Sequence, residues 1–349
     1  MSKKDSSSFF KEIQSAKKIL VLDLGFLGDS IHLIPSLNCI RKSIPKAELH
    51  VMIADHVKDL LTLTPWVDKV WGYPRFPKGP KWYQDFGRIS ALRTEKFDAV
   101  INLNGSDRSS ILTVSSGSKK RLGRVPEKMN PMWKSCFTHI VNVAYGHSGV
   151  FQQRYDCLQE SGFPDVGIHF NLVVPENLLT INPIQSLREN YIHVSPFTPV
   201  NDREIPYKQL AGLLHELSDK YPQYKILLTC SPNERETGKL KKLTRAFHFD
   251  NWETLPDKLS ITQLGAIIQK SVIHLGGDTG SLHLANALGK KTVSWFHENK
   301  LNQMHWMPKG KNHRSVIGSL SNLGLVGISN SEILERVEEL INEIHSVVN

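Results

Sequence analysis

Short apolar runs alternate with longer amphipathic segments along most of the chain, and this alternation is typical of an α/β protein. In the first half, apolar runs predict strands over residues 18–24, 47–53, 69–72, 98–103, 119–123 and 139–143. Between them, the spacing of apolar residues predicts helices over 29–43, 56–63, 82–93 and 149–161. Because helices separate most of these strands, the strands are expected to lie parallel in one sheet.

The alternation resumes in the second half after a break. Strands are predicted over 191–195, 224–229, 271–275 and 291–296, with helices over 207–220, 234–245, 261–269 and 333–347. Between residues 174 and 186 the pattern lapses into a segment with Pro175 and Pro183, which we interpret as a linker. We therefore predict two α/β domains, residues 1–176 and 177–349, with any shared ligand in a cleft between them.

Composition narrows the class of protein. The chain has 349 residues, 40% of them hydrophobic and 22% charged, and no apolar run long enough to span a membrane. Its first 18 residues lack the apolar core of a signal peptide, so we expect a cytoplasmic protein. Its four cysteines show no paired spacing and are expected to be reduced thiols rather than disulfides or zinc ligands.

The formal charge of +9 is unevenly distributed. Residues 1–175 hold 24 Lys and Arg against 16 Asp and Glu, and residues 101–150 alone hold 7 against 2. This excess favours a polyanionic partner for the first domain, although a basic surface kept for solubility is the alternative. No zinc finger, RNA-binding aromatic motif or long basic helix is present in the sequence, so nucleic acid is not expected as a partner.

A glycine-rich turn follows the strand predicted over 271–275. The glycine pair Gly276-Gly277 is expected to end this strand, and Asp278-Thr279 stands where the N-cap of the next helix belongs. Backbone N–H groups and the positive end of the helix dipole at such a turn can hold a phosphate. An ordinary βα turn with a good cap explains the same residues, and His283 either contacts the phosphate or packs in the core.

The first predicted strand also ends in a glycine turn, Gly25-Phe26-Leu27-Gly28, which is followed by Asp29. The turn lacks the spacing of a dinucleotide site and the Gly-Lys-Ser/Thr ending of a P-loop. A carboxylate at this position is either an N-cap or a general base that takes a proton from an incoming hydroxyl.

Three further strand exits carry polar residues that suit a ligand. The polar loop after residue 103 places Asn104 where a cleft is lined at the carboxyl end of a strand. In the loop after residue 195, Thr198 and Arg203 suit a pyrophosphate, while Arg203 pairing with Asp202 or Glu204 is the alternative. In the loop after residue 229, Ser231 and Glu234 could contact the base or ribose of a nucleotide. The alternative is that this loop is an ordinary turn.

Taken together, these motifs resemble those of the ADP-heptose:lipopolysaccharide heptosyltransferases, an inverting glycosyltransferase family of GT-B fold. The resemblance covers essentially the whole chain. It is carried by the first strand with Gly28-Asp29, by Arg203-Glu204-Ile205-Pro206, and by the segment from Gly277 to Lys290, which contains Asp-Thr-Gly-x-x-His. The chain departs from the family at Arg203, where many members have Lys, and at Ile205, where they have Trp before the proline.

The resemblance implies two Rossmann-like domains with an interdomain cleft and a C-terminal helix that returns to the N-terminal domain. The N-terminal domain would bind the lipopolysaccharide acceptor and the C-terminal domain the donor, ADP-heptose. Asp29 would be the general base. The phosphates would be held by a set of C-terminal residues comprising Thr198, Arg203, Asp278, Thr279, Gly280, Ser281 and His283.

The acidic sugars and phosphates of the lipopolysaccharide core give the basic half a partner. The expected acceptor-binding residues are Gly28, Asn104, Lys119, Lys120, Arg121 and Arg124, with Lys128 and Lys134 as further candidates. We expect no metal cofactor, because the sequence has no Asp-x-Asp motif and no cluster with metal-ligand spacing. Contact with the cytoplasmic face of the inner membrane would be peripheral.

Two other functions fit the same motifs. One is a GT-B enzyme that uses another nucleotide sugar or a protein acceptor, and the other is a catalytically silent sugar-binding or nucleotide-binding protein. The presence of both Asp29 and the Asp278-Thr279-Gly280 turn argues against a silent protein. A nicotinamide dehydrogenase is disfavoured because the Gly-x-Gly-x-x-Gly fingerprint is missing.

Overall fold

The computed structural model describes residues 6–75, 79–128, 130, 132–180, 184–187, 190–246, 251–255 and 258–348. The chain divides into two compact units, Met1–Val173 and Val174–Asn349. The predicted boundary lay between residues 176 and 177.

The first unit is built on a parallel sheet in the order β3-β2-β1-β4-β5-β6. Its strands are β1 (Lys18–Leu22), β2 (Glu48–Ala54), β3 (Lys69–Tyr73), β4 (Ala99–Asn102), β5 (Lys120–Arg124) and β6 (His139–Val141). Its α-helices are α1 (Phe9–Ile13), α2 (Leu27–Ser43), α3 (Phe86–Thr94), α4 (Asp107–Ser115) and α5 (Val150–Glu160). The central strand β1 is buried from Ile19 to Leu22, which explains its unbroken apolar run.

The second unit repeats this plan with the sheet order β13-β12-β11-β10-β7-β8-β9. Its strands are β7 (Tyr191–Ser195), β8 (Lys225–Leu228), β9 (Trp252–Thr254), β10 (Ile273–Gly277), β11 (Thr292–His297), β12 (His313–Ser321) and β13 (Gly324–Val326). Its helices are α6 (Glu176–Leu179), α7 (Tyr207–Lys220), α8 (Glu234–Ala246), α9 (Ile261–Lys270), α10 (Gly280–Ala287), α11 (Lys300–Trp306) and α12 (Asn330–Val348). Only β13 pairs antiparallel among the described strands, as the return arm of a hairpin with β12.

Several predicted boundaries were wrong. The strand predicted over 271–275 was expected to stop before the glycine pair. Instead, β10 includes Gly276 and Gly277 as its last residues, and Gly277 pairs with Trp295 of β11. The linker contains α6, although residues 181–183 of the linker lie outside the described part of the chain. The short helix predicted over 56–63 is confirmed as a 3-10 helix, Asp55–Leu63.

The last helix, predicted over 333–347, begins at Asn330 behind a capping box. The Glu332 carboxylate accepts the Ser329 N–H at 2.8 Å, and the Ser329 hydroxyl accepts the Glu332 N–H at 3.2 Å. The contacts described for α12 are with α7, β11 and β12 of its own unit. Its return to the first unit stays a prediction.

Candidate functional site

Asp29 stands in the first turn of α2, just beyond the carboxyl end of β1. Phe26, not Asp29, is the N-cap residue; the Asp29 carboxylate accepts the Phe26 N–H at 3.0 Å. A Cβ atom on Gly25 would lie 2.2 Å from the Asp29 Cβ, so only glycine allows this tight turn. The turn therefore fixes the carboxylate at the carboxyl edge of the sheet, where ligands bind in open α/β folds.

A buried arginine from α5 holds this carboxylate. Arg154 Nη2 lies 3.2 Å from Asp29 Oδ1 and 2.6 Å from Asp23 Oδ2, and its Nη1 donates to the Asp29 carbonyl at 2.9 Å. Burial raises the pKa of the Asp23 carboxyl, an effect that Arg154 opposes and the Asp29 charge increases. Two carboxylates thus share one guanidinium, and Asp29 is the more exposed of the two.

Asn104 belongs to the same cluster. Its Nδ2 lies 3.4 Å from Asp23 Oδ1, and its Oδ1 accepts the Ser106 N–H at 3.1 Å ahead of α4. Gly28 lies one residue before Asp29, in the first turn of α2. The structure therefore brings these two predicted acceptor residues to the general-base candidate.

The other predicted acceptor residues are not gathered there. Lys119, Lys120 and Arg121 lie at the amino end of β5, the edge of the sheet opposite to Asp29, because β1 and β5 run parallel. Lys120 pairs with Glu12, and Arg121 Nε donates to the Cys136 carbonyl at 2.7 Å. Arg124 is at the correct edge but is buried, donating to Gln153 Oε1 at 2.7 Å beneath the Tyr145 ring. In the structure, Arg124 therefore packs in the interior of the first unit.

Two arginines that sequence reasoning missed lie at the Asp29 edge. Arg75 follows β3, lies over the ring of Phe26 with 5.4 Å to the centroid, and donates to the Leu24 carbonyl. Arg108 opens α4 and lies 5.9 Å from the Tyr73 ring centroid. Arg108 belongs to the polar segment 104–108, of which only Asn104 was named as a candidate, while the position of Arg75 depends on the strand order β3-β2-β1-β4.

In the second unit, close packing shapes the turn between β10 and α10. A Cβ atom on Gly277 would meet Trp295 Nε1 at 2.8 Å and the Thr198 Cγ2 at 2.9 Å. Thr279 is the N-cap of α10 but makes no side-chain capping bond; its hydroxyl lies 2.7 Å from that of Ser281. The positive end of α10 therefore lacks a cap from Thr279 and suits an anion.

Asp278, just before this helix, is the centre of a charged cluster. Its Oδ2 accepts Arg203 Nη1 and Asn302 Nδ2, each at 3.2 Å, and its Oδ1 lies 3.5 Å from His283 Nε2. Burial raises the pKa of the Asp278 carboxyl, but His283, Asn302 and Arg203 together lower it below its usual value. Arg203 thus pairs with Asp278, not with Asp202 or Glu204 as the alternative interpretation had it. Asn302 was missed.

Thr198 lies next to this turn but is fully buried. Its N–H donates to Glu204 Oε1 at 3.1 Å, and Glu204 in turn binds Arg235 at 2.9 Å and Lys239 at 2.7 Å. Thr198 therefore helps to fix the loop that carries Arg203, and its side chain is not open to a ligand. This buried network was not visible in the sequence, because Arg235 and Lys239 come from α8.

Ser231 and Glu234 lie between β8 and the start of α8, next to β7 at the same edge of the sheet, and both are exposed. The Ser231 N–H donates to the buried Glu236 at 2.9 Å. Their contact with a nucleotide stays a prediction.

Comparison with known proteins identifies the family. Residues 88–325 match the family model described as glycosyltransferase family 9 (heptosyltransferase). Among curated proteins, the chain is 19% identical to lipopolysaccharide heptosyltransferase 3 of Escherichia coli, covering 82% of this chain and 85% of that protein. It is 21% identical to the lipopolysaccharide core heptosyltransferase OpsX of Haemophilus influenzae, with 81% and 80% covered.

Solved structures show the same fold. The E. coli ADP-heptose lipopolysaccharide heptosyltransferase II superposes with a TM-score of 0.79 at 17% identity, with 94% of this chain and 99% of that chain covered. The E. coli heptosyltransferase WaaC with ADP-2-deoxy-2-fluoro heptose gives 0.75 at 18% identity, with 92% and 99% covered. The predicted GT-B class with two Rossmann-like units is confirmed. This chain belongs to glycosyltransferase family 9, the heptosyltransferase family.

Proposed function

We propose that this protein is an inverting glycosyltransferase of the cytoplasm that moves heptose from ADP-heptose to the inner core of lipopolysaccharide. Family membership and the activities of its relatives support the reaction class. The observation that carries the mechanism is the half-buried Asp29 carboxylate at the carboxyl edge of the first sheet, held by Arg154.

Asp29 is suited to act as the general base. An acceptor hydroxyl attacks the anomeric carbon of the donor sugar while the bond from that carbon to the diphosphate oxygen breaks, so the configuration inverts. The hydroxyl proton passes to Asp29, and the bond electrons leave with ADP. Proton transfer to a positioned carboxylate typically contributes about 10²–10⁴ in rate.

Arg203 and the start of α10 supply what the leaving group needs. Negative charge grows on the diphosphate as the glycosidic bond breaks, and a guanidinium and a helix N-terminus both stabilise it. Asp278 orients Arg203 through one of its nitrogens, at 3.2 Å, which leaves the rest of the fork for phosphate oxygens. We infer that the reaction proceeds without a metal, because these groups supply positive charge at the leaving group.

The acceptor is proposed to be acidic. Arg75 and Arg108, which lie at the Asp29 edge, are better placed than Lys119, Lys120 and Arg121 to bind its phosphates or acidic sugars. Gly28 and Asn104 would contact the same molecule near the base.

The test is incubation of the protein with ADP-heptose and a panel of truncated lipopolysaccharide cores, read by mass. We expect one core structure to gain a single heptose. Thermal shifts with ADP, UDP and GDP, each alone, identify the nucleotide independently of the acceptor. Stabilisation by UDP or GDP but not by ADP, or transfer to a protein acceptor only, would replace the proposed donor or acceptor.

A further inference from the structure

The two carboxylates that share Arg154 are not held equally. Arg154 Nη2 lies 2.6 Å from Asp23 Oδ2 and 3.2 Å from Asp29 Oδ1. The Asp23 side chain is fully buried, whereas a quarter of the Asp29 side chain is exposed. The guanidinium therefore makes its shorter contact with the carboxylate that a substrate does not reach.

The contacts of Asp23 suit an ionised carboxylate. Its Oδ1 accepts the Gly25 N–H at 3.0 Å and lies 3.4 Å from Asn104 Nδ2. The Asn104 amide is oriented from its other side, because its Oδ1 accepts the Ser106 N–H at 3.1 Å. These two contacts and the one with Arg154 all come from donors, while a protonated acid would need an acceptor for its O–H. Asp23 therefore carries a negative charge, although burial raises the pKa of its carboxyl.

A general base that is held by an arginine has two opposing requirements. The ion pair fixes the Asp29 carboxylate in place, but an adjacent guanidinium also favours the charged form and so opposes uptake of a proton. A second carboxylate on the same guanidinium reduces this opposition. In addition to burial, the charge of Asp29 raises the pKa of the Asp23 carboxyl, and by reciprocity the charge of Asp23 favours protonation of Asp29.

We propose that Asp23 is a positioning residue for the transfer reaction. By taking part of the charge of Arg154, it lets the guanidinium orient Asp29 while Asp29 stays basic enough to take the proton of the acceptor hydroxyl. The proton moves from that hydroxyl to Asp29, and Arg154 then still has the charged Asp23 as its partner. The inference rests on the proposed role of Asp29 as the general base.

Other titratable groups near this cluster are the same in all the variants used below. Burial raises the pKa of the Cys157 thiol to about 12 and also raises the pKa of the Tyr145 hydroxyl, so both are neutral near pH 7. The remaining groups come from α2, the segment after β3, α4 and β5, and are His32, Arg75, Arg108 and Arg124. A difference between the wild type and an Asp23 variant therefore reports on Asp23 itself.

The direct test is a pH titration of the ligand-free protein by NMR, with ¹³C in the aspartate side-chain carboxyl groups. The Asp29 signal is the one that Asp29→Asn removes. In Asp23→Asn the guanidinium has one carboxylate left, so the Asp29 signal should titrate about one pH unit lower than in the wild type. In Asp23→Asn with Arg154→Met, it should titrate at a higher pH than in Asp23→Asn alone, because the cation is absent.

Two further variants make this titration specific. Asp23→Ser removes the same charge with a smaller side chain and should shift the Asp29 titration in the same direction. The matched control is Glu95→Gln, in the same unit, which removes a carboxylate that binds Lys18 at 2.7 Å and Lys69 at 2.5 Å. Because Lys18 begins β1, this ion pair lies at the sheet edge opposite to Asp29, and the Asp29 titration should not change.

The pH dependence of heptose transfer gives a second readout. The acid limb of kcat/KM reports the essential base of the free enzyme, and Asp23→Asn should move it to lower pH by the same interval. The kcat at the plateau should fall by less than about tenfold, because the rate follows only part of a change in basicity. The KM for ADP-heptose should stay that of the wild type.

An Asp29 titration that stays in place or moves to higher pH in the Asp23 variants overturns the proposal, as does an equal shift in Glu95→Gln. Failure of both Asp23 variants to fold in urea-unfolding experiments would assign Asp23 a purely structural role and overturn it too. If the titration does not move while Asp29→Asn is slow in transfer, only this inference fails. Wild-type turnover of Asp29→Asn would instead remove the proposed general base, and the role of Asp23 with it.

Discussion

The two units each hold an aspartate–arginine pair at the edge of their sheet, but with the exposure reversed. In the first unit the Arg154 side chain is 6% exposed and Asp29 26%. In the second unit Asp278 is 8% exposed and Arg203 36%. The buried member fixes the orientation of the other, and in the proposed mechanism the exposed member contacts the substrate. On that proposal, the same type of ion pair presents a base in the first unit and an anion-binding group in the second.

The largest effect is expected at the exposed carboxylate. Asp29→Asn keeps an oxygen that accepts the Phe26 N–H but removes the base, so kcat should fall by about 10²–10⁴. The ADP-induced thermal shift should stay unchanged, because Asp29 is not in the donor cluster. Steady-state kinetics measures kcat, and a thermal-shift assay on the same preparation measures the effect of ADP. Turnover at the wild-type rate would show that Asp29 is not the general base.

The second-largest effect is expected for Arg154, the buried partner of the Asp29 carboxylate. Arg154→Met leaves Asp23 buried without its cation, and breaking a buried ion pair in this way costs about 3–5 kcal/mol of unfolding free energy. Urea unfolding measures the loss. Adding Asp23→Asn should recover part of it, and a double variant as unstable as Arg154→Met alone would show that the guanidinium acts elsewhere.

At the exposed arginine the effect should be on binding, not on folding. Arg203→Ala removes charge-assisted hydrogen bonds to the diphosphate and should weaken ADP binding by about 1.5–3 kcal/mol, with little change in stability without ligand. Calorimetric titration gives the value. Arg203→Lys should keep part of the affinity, and Arg336→Ala, a comparably exposed arginine paired with Glu339, serves as the control. An unchanged ADP affinity in Arg203→Ala would exclude this residue from the site.

The smallest effect concerns pH and the buried aspartate. The pKa of Asp278 is lowered in the folded protein from its ordinary value of 3.8, so its stabilising contribution is complete above that value. It is lost as the pH falls through the lower folded pKa. The stability difference between wild type and Asp278→Asn should therefore shrink from pH 5 to pH 3 in urea titrations. A difference that grows on acidification would contradict the assigned direction.

Local pattern predicted most of the fold because the central strands are apolar runs that end in glycine or polar turns. Local pattern missed α4, because Arg108 and Leu112 are its only strong helix formers in the sequence Asp-Arg-Ser-Ser-Ile-Leu-Thr-Val-Ser. This helix is stabilised by the Ser106 cap, whose side chain accepts the Ser109 N–H at 3.2 Å, and by burial of Leu112. It also missed β12, an edge-side strand of mixed polarity.

The candidate site was predictable only where one turn contains its residues. Asp29 and Asp278 follow glycines at strand ends, and both were found. Arg154 is 125 residues from Asp29, so no local pattern connects them. Thr198 and Arg124 have suitable chemistry for a ligand, yet both are buried, and burial depends on the packing of distant elements such as α8 and α5.

The proposed division of roles between the two exposed groups is tested most directly by the single-turnover rate of heptose transfer as a function of ADP-heptose concentration, measured for Asp29→Asn and Arg203→Ala side by side. We predict that Asp29→Asn is slow by about two orders of magnitude or more at any donor concentration. Arg203→Ala should need more donor to saturate, a requirement that Asp29→Asn should not share. Wild-type rates in Asp29→Asn, or the same increase in donor requirement in both variants, would contradict the account.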